Sequence, residues 1–417
     1  MSPADAATTP VCRFCSAPLV HTFVDLGMSP LCQTIVSPAQ LTQSEEFFPL
    51  HVWICDRCFL VQLQEYVSPA RIFTEYAYFS SYVDTLVQAA KEYAARMSAR
   101  LHLGPASRVV EIASNDGYLL QHFVALGIPV LGIEPAANVA AAAIDRGVPT
   151  RVQFFGVETA REVAAEVGKA DLLVGNNVLA HVPRLNDFVS GMKLLLASKG
   201  VITMEFPHLL RLMALNQFDT IYHEHFSYLS FSTVENVFAA HGLVLFDVEE
   251  IANHGGSLRI HARHAEDDSK PVAPRVANLR QLEEREGFRT LDRYVSFAEQ
   301  VKATKWQLLE FLIEAKRQGK RIVGYGAPGK SVTLLNYCGI RTDFVDYLVD
   351  RNPYKQGSYL PGVRIPIHSP DRIRETRPDY LLVLPWNITD EVMKYTSYIR
   401  DWGGKWVVPI PEVKILA

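Results

Sequence analysis

Apolar positions change period several times along this chain, and each change marks a different element. Within a helical block at 61–105, the run VDTLVQAAKEYAARMSARL keeps its apolar side chains on one face, which predicts an amphipathic helix. From residue 107 the pattern becomes short β-rich runs: RVVEIA, PVLGIEP, DLLVGNN and GVITMEF. Helical stretches such as GYLLQHFVAL and AANVAAAAID separate them. Strands alternating with helices predict an α/β domain with a parallel sheet and crossover helices. LVLFDVEEI and LRIHAR add two strands at its end. The polar, proline-containing AEDDSKPVAP (265–274) predicts a domain boundary. A charged helical stretch follows, and KRIVGYGAPGKSVTLLNYC, FVDYLVD and DYLLVLPW then predict a second α/β layer. No repeat and no low-complexity tract interrupts this order.

Composition narrows the class. At roughly 150 residues per domain, 417 residues suggest two or three domains. A hydrophobic fraction of 48% is ample for packed cores and argues against disorder. The net charge of −4 gives no basic field for nucleic acid or an anionic membrane. The beginning MSPADAATTPVCRFC lacks the charged start and apolar stretch of a secretory signal, and no apolar run reaches membrane-spanning length. The expected location is cytoplasmic, with no membrane partner, so the six cysteines read as thiols or metal ligands rather than disulfides.

Cys12-x-x-Cys15 and Cys55-x-x-Cys58 form two knuckles, each able to offer two thiolates to one tetrahedral ion. Four sulfur ligands favour Zn²⁺, and with all four positions filled by protein the zinc is expected to be structural. Cys32 and Cys338 are left over as small buried hydrophobes.

Two turns could hold a nucleotide. GYGAPG (Gly324 to Gly329) follows a strand, opens a helix and has Asp350 after the next strand, which are the context checks for dinucleotide binding. Against it, Pro328 removes a backbone donor, and a tight turn without a dinucleotide fits equally well. Lys330 beside it could still meet a phosphate. In VVEIASNDGYLL a strand carrying Glu111 enters a turn of small and polar residues and restarts as a helix at Gly117. One strand later Glu134 is placed to accept both hydroxyls of a ribose, the arrangement by which class I methyltransferases hold S-adenosylmethionine. Ala113 stands where a glycine is common, and an ordinary α/β turn followed by a surface Glu is the alternative.

IYHEHFSYLS puts Tyr222, His223, Glu224 and His225 side by side. If extended, His223 and His225 share a side; if helical, Tyr222 and His225 do. A histidine near neutral pKa suits a general base, with a carboxylate to hold its tautomer. A His-x-His metal site drawing on His181 or His208 is the rival.

Taken together, CxxC…CxxC, EIASNDG, GIEP, NNVLAHV, YHEHFSYLS, HGGS and GYGAPGK stand in an order that resembles the S-adenosylmethionine-dependent deoxysugar C-methyltransferases of nucleotide-sugar pathways. The resemblance covers nearly the whole chain. It implies a zinc-binding domain at 1–66, a class I methyltransferase domain at 67–265, and a Rossmann-like sugar-nucleotide domain at 266–417 that binds no dinucleotide. It implies a structural Zn²⁺ on Cys12, Cys15, Cys55 and Cys58. S-adenosylmethionine would lie against Glu111, Ala113, Asn115, Asp116 and Gly117, then Glu134, Pro135 and Phe155, and finally Asn176 and Asn177.

The implied chemistry is methylation of a carbon α to the ketone of a nucleotide-diphosphate (dTDP-linked) keto-deoxysugar, in deoxysugar and antibiotic biosynthesis. His225 would be the base, with Glu224, Tyr222, His181 and Tyr76 in support. Lys330 and His254 would meet the substrate, although His254 could equally be a turn residue. The expected partner is the nucleotide sugar, with the protein a monomer or weak homo-oligomer. Two rivals remain at this point: an NAD(P)-dependent nucleotide-sugar oxidoreductase built on GYGAPG, and a non-catalytic zinc-containing interaction protein.

Overall fold

A computed structural model describes residues 9–73 and 79–417, apart from the His254 side chain. The chain forms two compact units, each drawn from three stretches. The first comprises Met1–Val20, Ile54–Leu209 and Glu224–Leu291; the second comprises His21–Trp53, Leu210–His223 and Asp292–Ala417.

The first unit is organised by a seven-stranded sheet: β1 (Val109–Ile112), β2 (Val130–Ile133), β3 (Thr150–Arg151), β4 (Ala170–Asn176), β5 (Leu196–Pro207), β6 (Leu243–Ile251) and β7 (Ser257–His264). Their spatial order is β6-β7-β5-β4-β1-β2-β3. β5-β4-β1-β2-β3 are mutually parallel, while β7 runs antiparallel to both neighbours. This is the expected α/β class. All four residues of β1 are buried, as in a parallel strand covered on both faces.

The helix Asp84–Leu101 buries Ala90, Tyr93, Ala94 and Met97, a stripe at helical spacing that packs on Val109, Leu172 and Val174 of the sheet. Burying Tyr93 and Met97 contributes about 1.5–3 kcal/mol each. Ser230 caps the helix Phe231–Ala240 by accepting from the Thr233 N–H. The buried Glu283 carboxylate also accepts the Phe231 and Ser232 N–H groups at 2.6 and 2.8 Å. Both capping groups complement the positive end of the helix.

The second unit holds a six-stranded sheet: β8 (Ile322–Tyr325), β9 (Leu348–Val349), β10 (Ile367–His368), β11 (Tyr380–Val383), β12 (Lys405–Val408) and β13 (Lys414–Leu416). Their order is β10-β9-β8-β11-β12-β13, parallel except for β13. The 21-residue helix Phe297–Arg317 buries Phe297, Val301, Thr304, Leu308, Leu312 and Ala315 in one stripe. The earlier stretch His21–Trp53 joins this core through Phe23, whose ring stacks on Phe297 at 4.8 Å. Among the described residues no helix is long and apolar enough to cross a membrane.

Candidate active site and metal centre

The two knuckles are built alike. In the first, Cys12 N–H donates to the Ala17 carbonyl (2.8 Å) and Ser16 N–H to the Cys12 carbonyl (2.9 Å). In the second, Cys55 N–H donates to Leu60 (3.1 Å) and Phe59 N–H to Cys55 (3.0 Å). Each closes on a residue in the left-handed region, Ser16 (φ 59°) and Phe59 (φ 56°). The turns bring Cys12 Sγ to 3.5 Å from Cys58 Sγ and Cys15 Sγ to 3.5 Å from Cys55 Sγ, with all four sulfurs within 4.8 Å. Tetrahedral zinc with bonds of about 2.3 Å requires sulfurs about 3.8 Å apart, so the donor set fits Zn²⁺. Gln62 Nε2 donates to Cys12 Sγ at 3.2 Å, a second-layer bond of the kind that steadies a thiolate ligand. Among the described residues, no other group of three or more His, Cys, Asp or Glu side chains is gathered this way.

The turn after β1 is shaped by backbone geometry. Ala113 (φ 56°), Asn115 (φ 49°) and Gly117 (φ 76°) all lie in the left-handed region, which explains why glycine is common at the first of these positions. A Cβ at Gly132 on neighbouring β2 would stand 2.4 Å from Ser114 Oγ, so the turn can fold back on β2 only because residue 132 has no side chain.

Glu134, 6% exposed at the end of β2, accepts the Asn115 N–H at 3.0 Å and the Ala136 N–H at 2.9 Å. Burial still raises its pKa, against the pull of those two donors. Glu111 is 1% exposed, and neither of its carboxyl oxygens has a hydrogen-bond partner. Burial above all, and then the charges of Glu134 and Asp116, push it well above the usual carboxylate range. A buried acid perturbed in this way marks the loop as a candidate ligand site.

Asp116, fully buried, is held by Arg146 at 2.7 Å. Ser80 N–H donates to Asn115 Oδ1 (2.8 Å) and Ser81 N–H to Asp116 Oδ2 (3.3 Å), tying the preceding turn to this loop. Pro135 is half-buried beside Glu134. Asn176, at the end of β4, donates to Tyr118 Oη at 3.3 Å. Asn177 follows in the left-handed region (φ 53°), its N–H on the Glu205 carbonyl. The Phe155 ring packs edge-on against Phe188 at 5.3 Å.

His181 and His225 are brought together. Their rings stand edge to face with centroids 4.7 Å apart, flanked by Phe73 on the His181 side (5.5 Å) and Tyr228 on the His225 side (6.2 Å). Burial lowers His181 to a pKa of about 4, so its ring is neutral at physiological pH. It hydrogen-bonds to the backbone of Glu224, itself a buried residue. Residues 223 and 224 form a turn, so neither the extended nor the helical expectation for YHEH holds. The turn sends the two histidines of the motif into different units. His223 packs in the second unit, 3% exposed, against the Pro49 carbonyl (3.3 Å) and the Phe48 ring (5.9 Å). His208 is engaged by Glu283 at 2.7 Å. The His-x-His metal reading therefore finds no cluster among the described residues.

Of the remaining expected residues, Tyr76 lies outside the described residues. His254 sits in the tight turn Asn253–Gly255 between β6 and β7. Tyr222 and Lys330 belong to the second unit. A Cβ at Gly329 would stand 3.8 Å from the Tyr222 ring. Lys330 donates to Asn387 Oδ1 (2.8 Å) and lies over the Trp386 ring at 4.3 Å. Trp386 Nε1 donates to Asp219 Oδ2 (2.7 Å), and burial pushes Asp219 up to about 6. Asp350 accepts the Ala327 N–H of the GYGAPG turn at 2.8 Å, which binds the carboxylate to the turn itself.

Arg146, Tyr118, Phe73 and Gln62 were not singled out from sequence. Each meets its partner across 30 or more positions, or from a helix and strand with no motif of their own.

Comparison with known proteins gives three family matches in chain order: a zinc binding domain at 12–73, a methyltransferase domain at 81–248 and a C-methyltransferase C-terminal domain at 252–411. The C-methyltransferase NovU of Streptomyces niveus is 35% identical over 406 residues, 97% of this chain and 96% of its own. Among solved structures, magnesium protoporphyrin IX methyltransferase from Synechocystis PCC 6803 with bound SAM is 14% identical, with a TM-score of 0.32 over 42% of this chain and 78% of its own. A S-adenosylmethionine-dependent methyltransferase from Clostridium acetobutylicum is 9% identical, with a TM-score of 0.35 over 43% and 92%. Those two likenesses are too slight to carry an inference.

Proposed function

Because the chain belongs to the S-adenosylmethionine-dependent C-methyltransferase family, we propose that it methylates a carbon α to the ketone of a nucleotide-diphosphate keto-deoxysugar, dTDP-linked, through a base-generated enolate. The observation that carries this reading is the His181–His225 pair in the same unit as the turn after β1. Methylation at carbon needs a carbanion equivalent, and a proton beside a ketone leaves only when a positioned base takes it. His225 is that base. S-adenosylmethionine, when bound, supplies the electrophilic methyl group.

His181 cannot share the proton near neutral pH, since its ring stays neutral down to about pH 4. One ring N–H spent on the Glu224 backbone leaves the second nitrogen as an acceptor. It therefore suits a substrate hydroxyl or amine better than a developing oxyanion. Glu224 holds the His225 segment, and Tyr222 and Tyr76 keep the supporting roles the resemblance implies. Lys330 and His254 are proposed substrate contacts. Glu111 and Glu134 would receive the amino-acid and ribose ends of the cofactor. The four cysteines would hold zinc as a structural clip.

The test is isotopic. With a candidate nucleotide ketosugar in deuterated buffer and no cofactor, the native protein should exchange the α proton, and His225→Ala should lose both exchange and methyl transfer. Retention of most transfer by that variant would sink the base assignment.

A further inference from the structure

Inside the first unit, hydrogen bonds and one cation–π contact link the cysteine tetrad to Phe226 and Ala180, the chain neighbours of the paired histidines. Gln62, fully buried, stands at their centre. Its Nε2 donates to Cys12 Sγ (3.2 Å) and the Leu60 carbonyl (3.3 Å). Its Oε1 accepts the Arg13 backbone N–H (2.9 Å) and Nε (3.4 Å). With both ends of the carboxamide in use, only one orientation satisfies it. The Arg13 guanidinium then donates to the Leu63 carbonyl and lies over the Phe226 ring, 5.6 Å from its centroid.

Phe226 is clamped on every side. Its ring is buried beneath Arg13. Its carbonyl accepts the Leu63 N–H at 3.0 Å, and its N–H donates to the Ala180 carbonyl at 2.8 Å. The strand Val61–Leu63 pairs antiparallel with Ser227–Tyr228, bringing Gln62 opposite Ser227. Phe226 directly follows His225, and Ala180 directly precedes His181. The bond between them therefore joins the two histidine-bearing segments. Asn186 fixes the other side of the knuckle, donating to the Phe14 carbonyl at 2.9 Å.

We propose that Gln62 and Arg13 are positioning residues for proton transfer: acting through Phe226, they hold His225 and His181 in register with each other, so that the zinc tetrad sets the geometry of the base. This rests on the reading of His225 as the base. A catalytic group displaced by about 1 Å loses about 100-fold in rate, so a relay of this kind has a measurable effect without touching substrate.

Two variants test it, Gln62→Met, which keeps the volume and removes both polar ends, and Arg13→Met, which keeps the stem and removes the guanidinium. Each is compared with the native chain and His225→Ala for zinc per chain, α-proton exchange, kcat and KM for S-adenosylmethionine, the pH–rate profile, and amide exchange over residues 224–230. The expected result is one zinc per chain and unchanged KM, with kcat and α-proton exchange down about 10- to 100-fold. The acid limb of the profile should move, and amide protection at 224–230 should fall. In the native protein, chelating zinc should lower that protection in the same way.

Native kcat and pH profile in zinc-loaded variants would overturn the proposal. So would loss of zinc or of fold in both variants, which would assign the pair to the metal site alone. Should His225→Ala itself keep exchange, the base reading fails instead, and the amide-protection result still shows whether the relay orders 224–230.

Discussion

Replacing Glu111 with glutamine should make the cofactor-free protein more stable, and increasingly so as the pH rises. The carboxyl is buried at the centre of the parallel sheet, with no hydrogen bond to either oxygen and with Glu134 and Asp116 nearby. Its folded pKa therefore lies well above that of the unfolded chain, about 4.3. Between those two values the folded state keeps a proton that the unfolded state has released. Stability then falls as pH rises through that window, by up to about 1.4 kcal/mol per pH unit. Glutamine has nearly the same shape and does not titrate, so it removes this slope.

The variant's lead over the native protein should be smallest near pH 5, just above the unfolded value. Toward pH 8 the variant's lead should widen by up to about 1.4 kcal/mol per pH unit, because glutamine leaves the same polar atoms unsatisfied but never ionises. That corresponds to about 2–4 °C per kcal/mol for a unit of this size. Thermal unfolding of zinc-loaded, cofactor-free protein at the two pH values measures it. The same substitution should weaken S-adenosylmethionine binding. It should also abolish the proton release that accompanies binding to the native chain, as seen by calorimetry in buffers of different ionisation enthalpy. A gain that is equal at both pH values, or a loss at pH 8, would refute the assignment of Glu111 as a strained acid awaiting a cation.

Arg146→Met should leave the buried Asp116 carboxylate without its cation and cost about 1–3 kcal/mol in urea unfolding, below the range for fully buried pairs because Arg146 is partly exposed. Ala113→Gly should be tolerated or slightly stabilising, while Ala113→Val should cost about 1–2 kcal/mol, because a β-branched residue resists the left-handed backbone found there. His181 has a folded pKa of about 4 against an ordinary value of about 6.5, so the unfolded chain takes up its proton first on acidification. Stability is lost as pH falls through that window, and His181→Phe should flatten this loss in melts compared at pH 7 and 4.5.

The sheet of the first unit was legible because a strand buried on both faces is written as a continuous apolar run, as in Val109–Ile112. The helix at 84–101 was legible by its 90, 93, 94, 97 stripe. The cysteine tetrad was legible from spacing alone. Other features left no local trace. Arg146 reaches Asp116 from 30 positions away, across two helices and a strand. The YHEH segment obeys neither strand nor helix periodicity because a turn falls between its histidines. Only the fold reveals that His223 packs on Pro49 and Phe48 while His225 meets His181. The relay through Gln62 was hidden for a different reason: a buried glutamine in a three-residue strand carries no motif.

The threefold passage of the chain through the second unit has a consequence for engineering. Joining chimeras of two relatives near residue 270 would replace Asp292–Ala417 but leave His21–Trp53 and Leu210–His223 from the original parent. Those inherited stretches supply Phe23 to the ring of Phe297, Glu45 to Arg364, and Asn216 to Thr304. A single crossover therefore mismatches three sets of contacts at once. Modular exchange in this architecture requires transplanting all three stretches together, grafted by contact rather than by position along the gene.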